Sequence, residues 1–267
     1  MASVITLDHA SFSYNGREDV FTDLTYEISS EDIFCILGPN GIGKSTLLNV
    51  IMDLLPLREG RVRIDGRPVQ DYRRSDLAKK VSYIPQAYQM TFPYTVLDLV
   101  SMGRTPHLND MNRPSPRDYE KVMEAVSSLG IEDLLDRTCT QLSGGQLQMA
   151  MLARAIAQEA DFLLLDEPTS HLDFGKEMET LRILVKLHRR GVGILFTTHN
   201  PNHAFMVCDS VAIMDKGSFT CVGSPAEIVT EENLSRIYGT RVQIVPYGKG
   251  GAHRTCVAAD ADVDLWR

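Results

Sequence analysis

An apolar run, Ile33-Phe-Cys-Ile-Leu37, breaks into Gly38-Pro39-Asn40-Gly41-Ile42-Gly43-Lys44-Ser45, and helical apolar spacing follows from Thr46 to Leu55. No other stretch restricts the fold so sharply. Gly38 through Ser45 satisfy G-x-x-x-x-G-K-[ST] at every required position, with a strand before and a helix after. The glycines let the backbone curl until successive N–H groups point inward at phosphate oxygens. The helix behind them aims the positive end of its dipole at the same point. Lys44 is expected to reach the β- and γ-phosphates, and the Ser45 hydroxyl to ligate Mg²⁺. The loop reads as a nucleoside triphosphate site.

A second strand, Phe162-Leu-Leu-Leu165, ends in Asp166-Glu167. In a parallel sheet its C-terminal end reaches the same edge as the phosphate loop. Asp166 is then placed to hold Mg²⁺ through its water shell, and Glu167 to take a proton from an attacking water. Leu142-Ser143-Gly144-Gly145-Gln146 precedes a helix expected from about Gln146 to Gln158. That makes a second helix N-terminus open to an anion. One triphosphate needs only one such cradle, so a spare one suggests a dimer in which each subunit's loop faces the other's.

With 267 residues the chain can bury a large core, as one elaborated domain or a core plus a subdomain. The net charge of −8 argues against a broad nucleic-acid surface. Lys186, Arg189 and Arg190 sit at a helix C-terminus, where cations complement the dipole. Cys35, Cys139, Cys208, Cys221 and Cys256 are scattered without a C-x-x-C, as in a reducing compartment. No stretch approaches the ~18 apolar residues of a membrane span, and no signal peptide is visible. A cytosolic protein is expected, with any membrane role carried by a partner.

Along the chain, strands are expected at Val4–Leu7, Tyr26–Ile28, Arg61–Ile64, Val81–Ile84, Ala160–Leu165 and Gly193–Thr198. Thr95-x-x-Asp98 opens a short helix to Met102, and a polar loop follows from Arg104 to Pro114. Ser115-Pro116-x-Asp118 opens a longer helix ended by Gly130, with Tyr119, Val122, Met123, Val126 and Leu129 on one face. A further helix spans Gly175 to Arg189, Asn200-Pro201 caps the next, and Val211–Met214 and Phe219–Val222 form a hairpin. Two small helices come after it. The expected division is a core of about 1–86 and 159–245, a helical subdomain of about 87–158 inserted into it, and a loosely ordered tail at 246–267.

Leu142-Ser-Gly-Gly-Gln146, together with the phosphate loop, Gln86, Asp166-Glu167 and His199, resembles the nucleotide-binding subunit of an ABC transporter over about residues 3–245. The resemblance implies an α/β fold: a P-loop NTPase, RecA-like core with an antiparallel β subdomain and an inserted helical subdomain. It implies an ATPase with ATP and Mg²⁺ as cofactors. Gly38, Pro39, Asn40, Gly41, Gly43, Lys44, Ser45 and Thr46 would bind the phosphates, and Tyr14 would stack on adenine. Gln86 would contact Mg²⁺ or the attacking water, and His199 the γ-phosphate and that water. Ser143, Gly144, Gly145 and Gln146 would bind the ATP held by a second copy, and Ser170 to Asp173 would communicate between the two sites. Taken singly, Tyr14 reads as packing, Gln86 as a surface amide and His199 as a capping or core histidine.

Two positions depart from the family pattern. Met149 replaces a frequent Arg, expected to loosen packing under the signature helix, and Asn200 replaces a frequent Asp, expected to alter the link to the second copy. Pro93-Tyr94-Thr-Val-Leu through His107-Leu108, then Pro114-Ser-Pro-x-Asp118, is similar to ATPases of metal-chelate importers, which serve iron-siderophore, haem or cobalamin, with a molybdate or tungstate branch. The hint of that branch is Thr198-His199-Asn-Pro-Asn202 together with Tyr94-Thr-Val-Leu. By this resemblance, residues 87–105 would receive a permease subunit, a substrate-binding protein would act indirectly, and the protein would sit peripherally on the cytoplasmic face of the inner membrane. A soluble ABC ATPase acting on nucleic acid or the ribosome, an exporter ATPase and a P-loop kinase are the alternatives. The kinase leaves Leu142 to Gln146 unexplained.

Overall fold

The computed structural model describes residues 2–86, 90–108, 113–170 and 172–259. Strands β1 (Val4–Phe12) and β2 (Phe21–Ser29) pair antiparallel, and β3 (Ile33–Leu37) delivers the phosphate loop to helix α1 (Lys44–Ile51). Next come β4 (Glu59–Ile64), β5 (Arg67–Pro68), α2 (Arg74–Lys80) and β6 (Val81–Ile84). Helices α3 (Val96–Ser101), α4 (Pro116–Leu129) and α5 (Gly144–Ala157) pack on one another. The chain then runs through β7 (Phe162–Leu165), α6 (Phe174–His188), β8 (Gly193–Thr198) and α7 (Pro201–Val207). It closes with β9 (Ser210–Asp215), β10 (Ser218–Gly223), α8 (Pro225–Ile228), α9 (Glu231–Tyr238), β11 (Val242–Tyr247) and β12 (His253–Ala258).

The central sheet has the order β10-β9-β3-β8-β7-β6, with β3 parallel to both β8 and β9. A second sheet, β2-β1-β4-β5, is antiparallel. Between the two sheets lies one apolar core; beyond the central sheet lies the other, roofed by the helices. Strand β3 shows why its sequence is apolar throughout. Phe34 and Ile36 face the antiparallel sheet with Leu47 and Leu48 of α1, whereas Ile33, Cys35 and Leu37 face the helical side. A strand buried on both faces leaves no position for a polar alternation. Strand β7 divides the same way, Phe162 and Leu164 against Leu163 and Leu165. The α/β class, with parallel core, antiparallel sheet and helical block, is as expected.

Several boundaries differ. Helix α1 stops at Ile51 instead of reaching Leu55, because Asp53 takes a left-handed conformation and the Leu54 N–H turns back to the Asn49 carbonyl. Such a left-handed residue ends a helix while satisfying its last carbonyls. Helix α5 begins at Gly144, two residues early, since Ser143 and not a later residue is its cap. Residues Met102–His107, expected partly as loop, form a 3₁₀ helix; 109–112 of that loop lie outside the described residues. On α4 the inward face is Asp118, Val122, Ala125 and Val126, while Tyr119 and Met123 are exposed. Met149 is buried within the helical-side core.

The C-terminal segment is not loose as far as residue 259. Strands β11 and β12 pair from Val242 with Ala258 to Tyr247 with His253. Asn202 at the start of α7 anchors them, its Oδ1 accepting from the Cys256 N–H at 2.7 Å and the Thr255 hydroxyl at 3.1 Å. Residues 260–267 of the expected tail lie outside the described residues.

Candidate functional site

The phosphate loop folds as its glycines require. A Cβ on Gly38 would sit 2.5 Å from the Met214 carbonyl oxygen, and Gly43 holds φ +108°. Gly43 caps α1 without any side-chain hydrogen bond, and no acidic residue occupies the first turn. The orphan N–H groups of that turn are therefore left for an anion to satisfy. Lys44 is buried, its Nζ donating to the Gly38 and Pro39 carbonyls at 2.9 Å each and lying 3.2 Å from Glu167 Oε1. Ser45 is half-buried, and Asn40 and Gly41 lie at the rim.

The parallel pairing of β7 with β6 and β8 brings three chain segments to one edge. Asp166 and Glu167, both buried, emerge from β7; Gln86 follows β6; His199 follows β8. Glu167 is the hub. Its Oε2 accepts from Gln86 Nε2 at 3.3 Å and lies 3.1 Å from His199 Nδ1, while Oε1 faces Lys44. Its backbone is left-handed at φ +46°, a strained conformation of the kind that collects at functional sites. Gln86, His199, Lys44 and Glu167 are thus brought together.

Thr197 was not singled out from the sequence. Its hydroxyl donates to Asp166 Oδ1 at 2.7 Å and accepts from the Glu167 N–H at 2.9 Å, so one buried side chain orients both acidic residues. The signal was present: two threonines close an otherwise apolar strand. Gln148 is a second omission, a buried glutamine in α5 whose Nε2 donates to the Pro168 carbonyl at 3.2 Å. It joins the signature helix to the chain just beyond Glu167.

Could these residues hold Mg²⁺? Among the described residues no three His, Cys, Asp or Glu side chains gather as a metal cluster. The Ser45 hydroxyl, Asp166 carboxylate and Gln86 amide are hard oxygen donors. Mg²⁺ prefers one or two such ligands supplemented by water and phosphate oxygens to an all-protein cage. The donor set fits that ion.

Tyr14 stands 68% exposed, its ring perpendicular to that of Phe12 with centroids 4.8 Å apart and its hydroxyl 3.0 Å from Thr46 Oγ1. It walls a cleft of about 490 Å³ shared with Asn15, Val20, Gly41, Ile42 and Lys216, opening beside the phosphate loop. An exposed aromatic face beside that loop suits a nucleotide base.

Ser143, Gly144, Gly145 and Gln146 form the first turn of α5. The Ser143 hydroxyl accepts from the Gln146 N–H at 3.3 Å, and Gln146 Oε1 accepts from the Ser143 N–H at 3.1 Å. A Cβ on Gly144 would meet nothing within 4 Å, and one on Gly145 would make only ordinary contact with Lys176. The protomer's own packing does not demand glycine at either position. Ser170 donates through both N–H and hydroxyl to the Glu167 carbonyl, and Asp173 caps α6; His171 between them lies outside the described residues. Asn200 caps α7 by accepting from the Asn202 N–H at 3.0 Å.

Within 87–105, positions 87–89 lie outside the described residues. Phe92 is 63% exposed and its ring centroid lies 5.8 Å from that of Tyr94; Met102 is exposed too. Arg104 points inward and is buried. No helix among the described residues is long and apolar enough to cross a membrane.

Comparison with known proteins gives the following. The ABC transporter family profile matches residues 21–170. The molybdate import ATP-binding protein MolC of Haemophilus influenzae is 34% identical over 89% of this chain and 89% of its own. The solved structure of a metal-chelate type ABC transporter in an inward-facing conformation superposes with TM-score 0.86 at 30% identity, covering 98% of this chain and all of that one. A dimeric bacterial ABC transporter cassette superposes with TM-score 0.73 at 26% identity, over 83% of this chain and 98% of that one.

Proposed function

Since the chain belongs to the ATP-binding subunits of ABC transporters, ATPases coupled to transport, we propose that two copies close on two Mg·ATP to drive an importer of a metal chelate or an oxyanion. The observation that carries the two-copy arrangement is at α5. Glycine in a helix costs roughly 1 kcal/mol relative to alanine. Gly144 nevertheless opens the helix where its own protomer leaves room for a side chain. A bare, uncovered helix N-terminus suits a phosphate arriving from outside the protomer, as from the ATP held by a second copy.

In this reading Gly38 to Thr46 cradle the phosphates, with Lys44 moving from its carbonyl partners onto the β- and γ-oxygens. Tyr14 stacks on the base. Ser45, Asp166 and Gln86 hold Mg²⁺, which when bound neutralises charge on the phosphate oxygens. Glu167, freed from Lys44, accepts the proton of the attacking water, while Gln86 and His199 position that water. Phosphoryl transfer asks chiefly for such positioning and charge neutralisation. Ser143 to Gln146 complete the site of the partner copy, and Ser170 to Asp173 carry information between the two.

The helical segment at about 87–158 serves as a subdomain that receives the permease through Phe92, Tyr94 and Met102, on the cytoplasmic face of the membrane. The cargo class follows from what the relatives handle: molybdate for MolC, a metal chelate for the transporter structure. Iron-siderophore, haem and cobalamin belong to the same class, and a substrate-binding protein would present the cargo outside.

The test is Glu167→Gln. It should bind ATP, dimerise with it and hydrolyse at least ~10²-fold more slowly, the usual contribution of a general base. Hydrolysis near the wild-type rate overturns the assignment.

A further inference from the structure

Beneath His199 lies a buried polar group that the reaction scheme leaves unused. His203 on α7 is 2% exposed, yet both ring nitrogens have partners. Nε2 lies 2.5 Å from Glu177 Oε1 on α6, and Nδ1 lies 2.9 Å from Thr198 Oγ1 on β8. Burial moves the His203 pKa below the usual histidine value despite the facing carboxylate. In the neutral ring with its proton on Nε2, Nε2–H donates to Glu177 and Nδ1 accepts the Thr198 hydroxyl proton, while the Asn200 amide nitrogen, 3.2 Å from Nε2, donates to Glu177 instead of the ring.

The residues tied to this pair are the two chain neighbours of His199. Thr198 Oγ1 also accepts from the Asn200 N–H at 3.0 Å, and the Asn200 amide Nδ2 lies 3.4 Å from Glu177 Oε1. His199 is thereby suspended between two residues that both answer to Glu177. Glu177 in turn sits in the first turn of α6, its N–H bonded to the carbonyl of the cap Asp173 at 2.9 Å. Asp173 ends the loop that begins at Ser170, which is bonded back to the Glu167 carbonyl. Hydrogen bonds therefore lead from the Asp173 carbonyl to Glu177, and from the Glu177 carboxylate through His203 to the Thr198 hydroxyl and directly to the Asn200 amide, on the two chain neighbours of His199.

We propose that Glu177 and His203 are positioning residues, a tether by which the start of α6 at Asp173 sets where the His199 imidazole stands over Glu167. This deepens the reading above and rests on it. A buried polar pair is a poor way to obtain stability alone, since apolar residues of like volume do as well or better. What the pair provides that apolar packing does not is one fixed geometry. Misplacing a group that orients the attacking water by about 1 Å can cost roughly 10²-fold in rate.

The experiment compares His203→Phe, which keeps a planar ring and loses the bonds of both ring nitrogens, with Glu177→Gln, which keeps an acceptor for Nε2–H. ATP affinity and single-turnover hydrolysis are measured for each, alone and in a His199→Ala background. His203→Phe should lower the hydrolysis rate roughly 10- to 100-fold with ATP affinity within about twofold, and Glu177→Gln should stay within about threefold of wild type. In the His199→Ala background, His203→Phe should add no further loss, because it acts through His199. An equal loss in both backgrounds, or none in either, overturns the tether. If His203→Phe does not fold, Glu177→Ala carries the same comparison. Should Glu167→Gln and His199→Ala themselves hydrolyse at the wild-type rate, the site reading fails; should they be slow while His203→Phe is not, the tether alone fails.

Discussion

Replacing Arg104 with Met should destabilise the junction between three helices. The side chain is 5% exposed within the 3₁₀ segment Met102–His107. Its Nε donates to Asp118 Oδ1 at 3.0 Å, and Nη1 donates to the Ala157 carbonyl at 2.6 Å and Glu159 Oε2 at 2.7 Å. Truncation leaves a buried carboxylate without its counter-ion, which costs about 3–5 kcal/mol. Asp118 keeps bonds from the Ser115 hydroxyl and N–H, so the low end, about 3 kcal/mol, is expected. Glu159 adds little, because it is half exposed and retains Lys121 at 3.2 Å. For a chain of this size the melting temperature should fall by roughly 6–12 °C. Urea unfolding and thermal melts measure it, with Asp118→Asn as the second corner of a cycle. In that background Arg104→Met should cost only about 1 kcal/mol, the worth of a neutral hydrogen bond. A loss below about 1 kcal/mol in the wild-type background, or equal losses in both, refutes the buried-pair argument. If Arg104 instead faced a permease, the melt would stay put and only the docking would weaken.

Two other outcomes follow from the same geometry. Gly144→Ala should melt no lower than wild type, and up to about 1 kcal/mol more stable, while hydrolysis falls at least ~10²-fold because the new methyl blocks the phosphate. A clear drop in melting temperature, or full activity, would sink that reading of the α5 N-terminus. The second concerns Asp118, whose carboxyl is held down at about 2 by the Ser115 hydroxyl, with the Ser115 N–H and Arg104 assisting. Between that value and the ordinary one, the unfolded chain binds more protons than the folded chain. The stabilisation is therefore complete above the ordinary value and lost as pH falls toward 2. The gap in melting temperature between wild type and Asp118→Asn should hold from pH 7 to about 5 and narrow below about 4. A gap that is constant down to about pH 3 would contradict it.

Local signals carried much of the architecture. The capping boxes Thr95–Asp98 and Ser115–Asp118 start helices where their spacing says they should. Each is complete within four residues, so no distant contact is needed to recognise it. The apolar runs at β3, β7 and β8 are legible for a related reason. Burial on both faces imposes a composition that can be read without knowing the neighbours.

What the residues did not reveal was decided between segments far apart in the chain. Thr197 joins Asp166 to the Glu167 backbone across two strands, Arg104 meets Asp118 and Ala157, and Glu177 meets His203 across two helices. Tyr119 and Met123 share the apolar look of α4 but miss its buried face by one step around the helix. The closing hairpin is anchored where Asn202 offers its amide oxygen to β12 from 53 and 54 residues away. A phosphate loop announces itself because its function is built from consecutive backbone N–H groups. Which carboxylate is held still, and by whom, depends on side chains that meet only after the sheet has set their register.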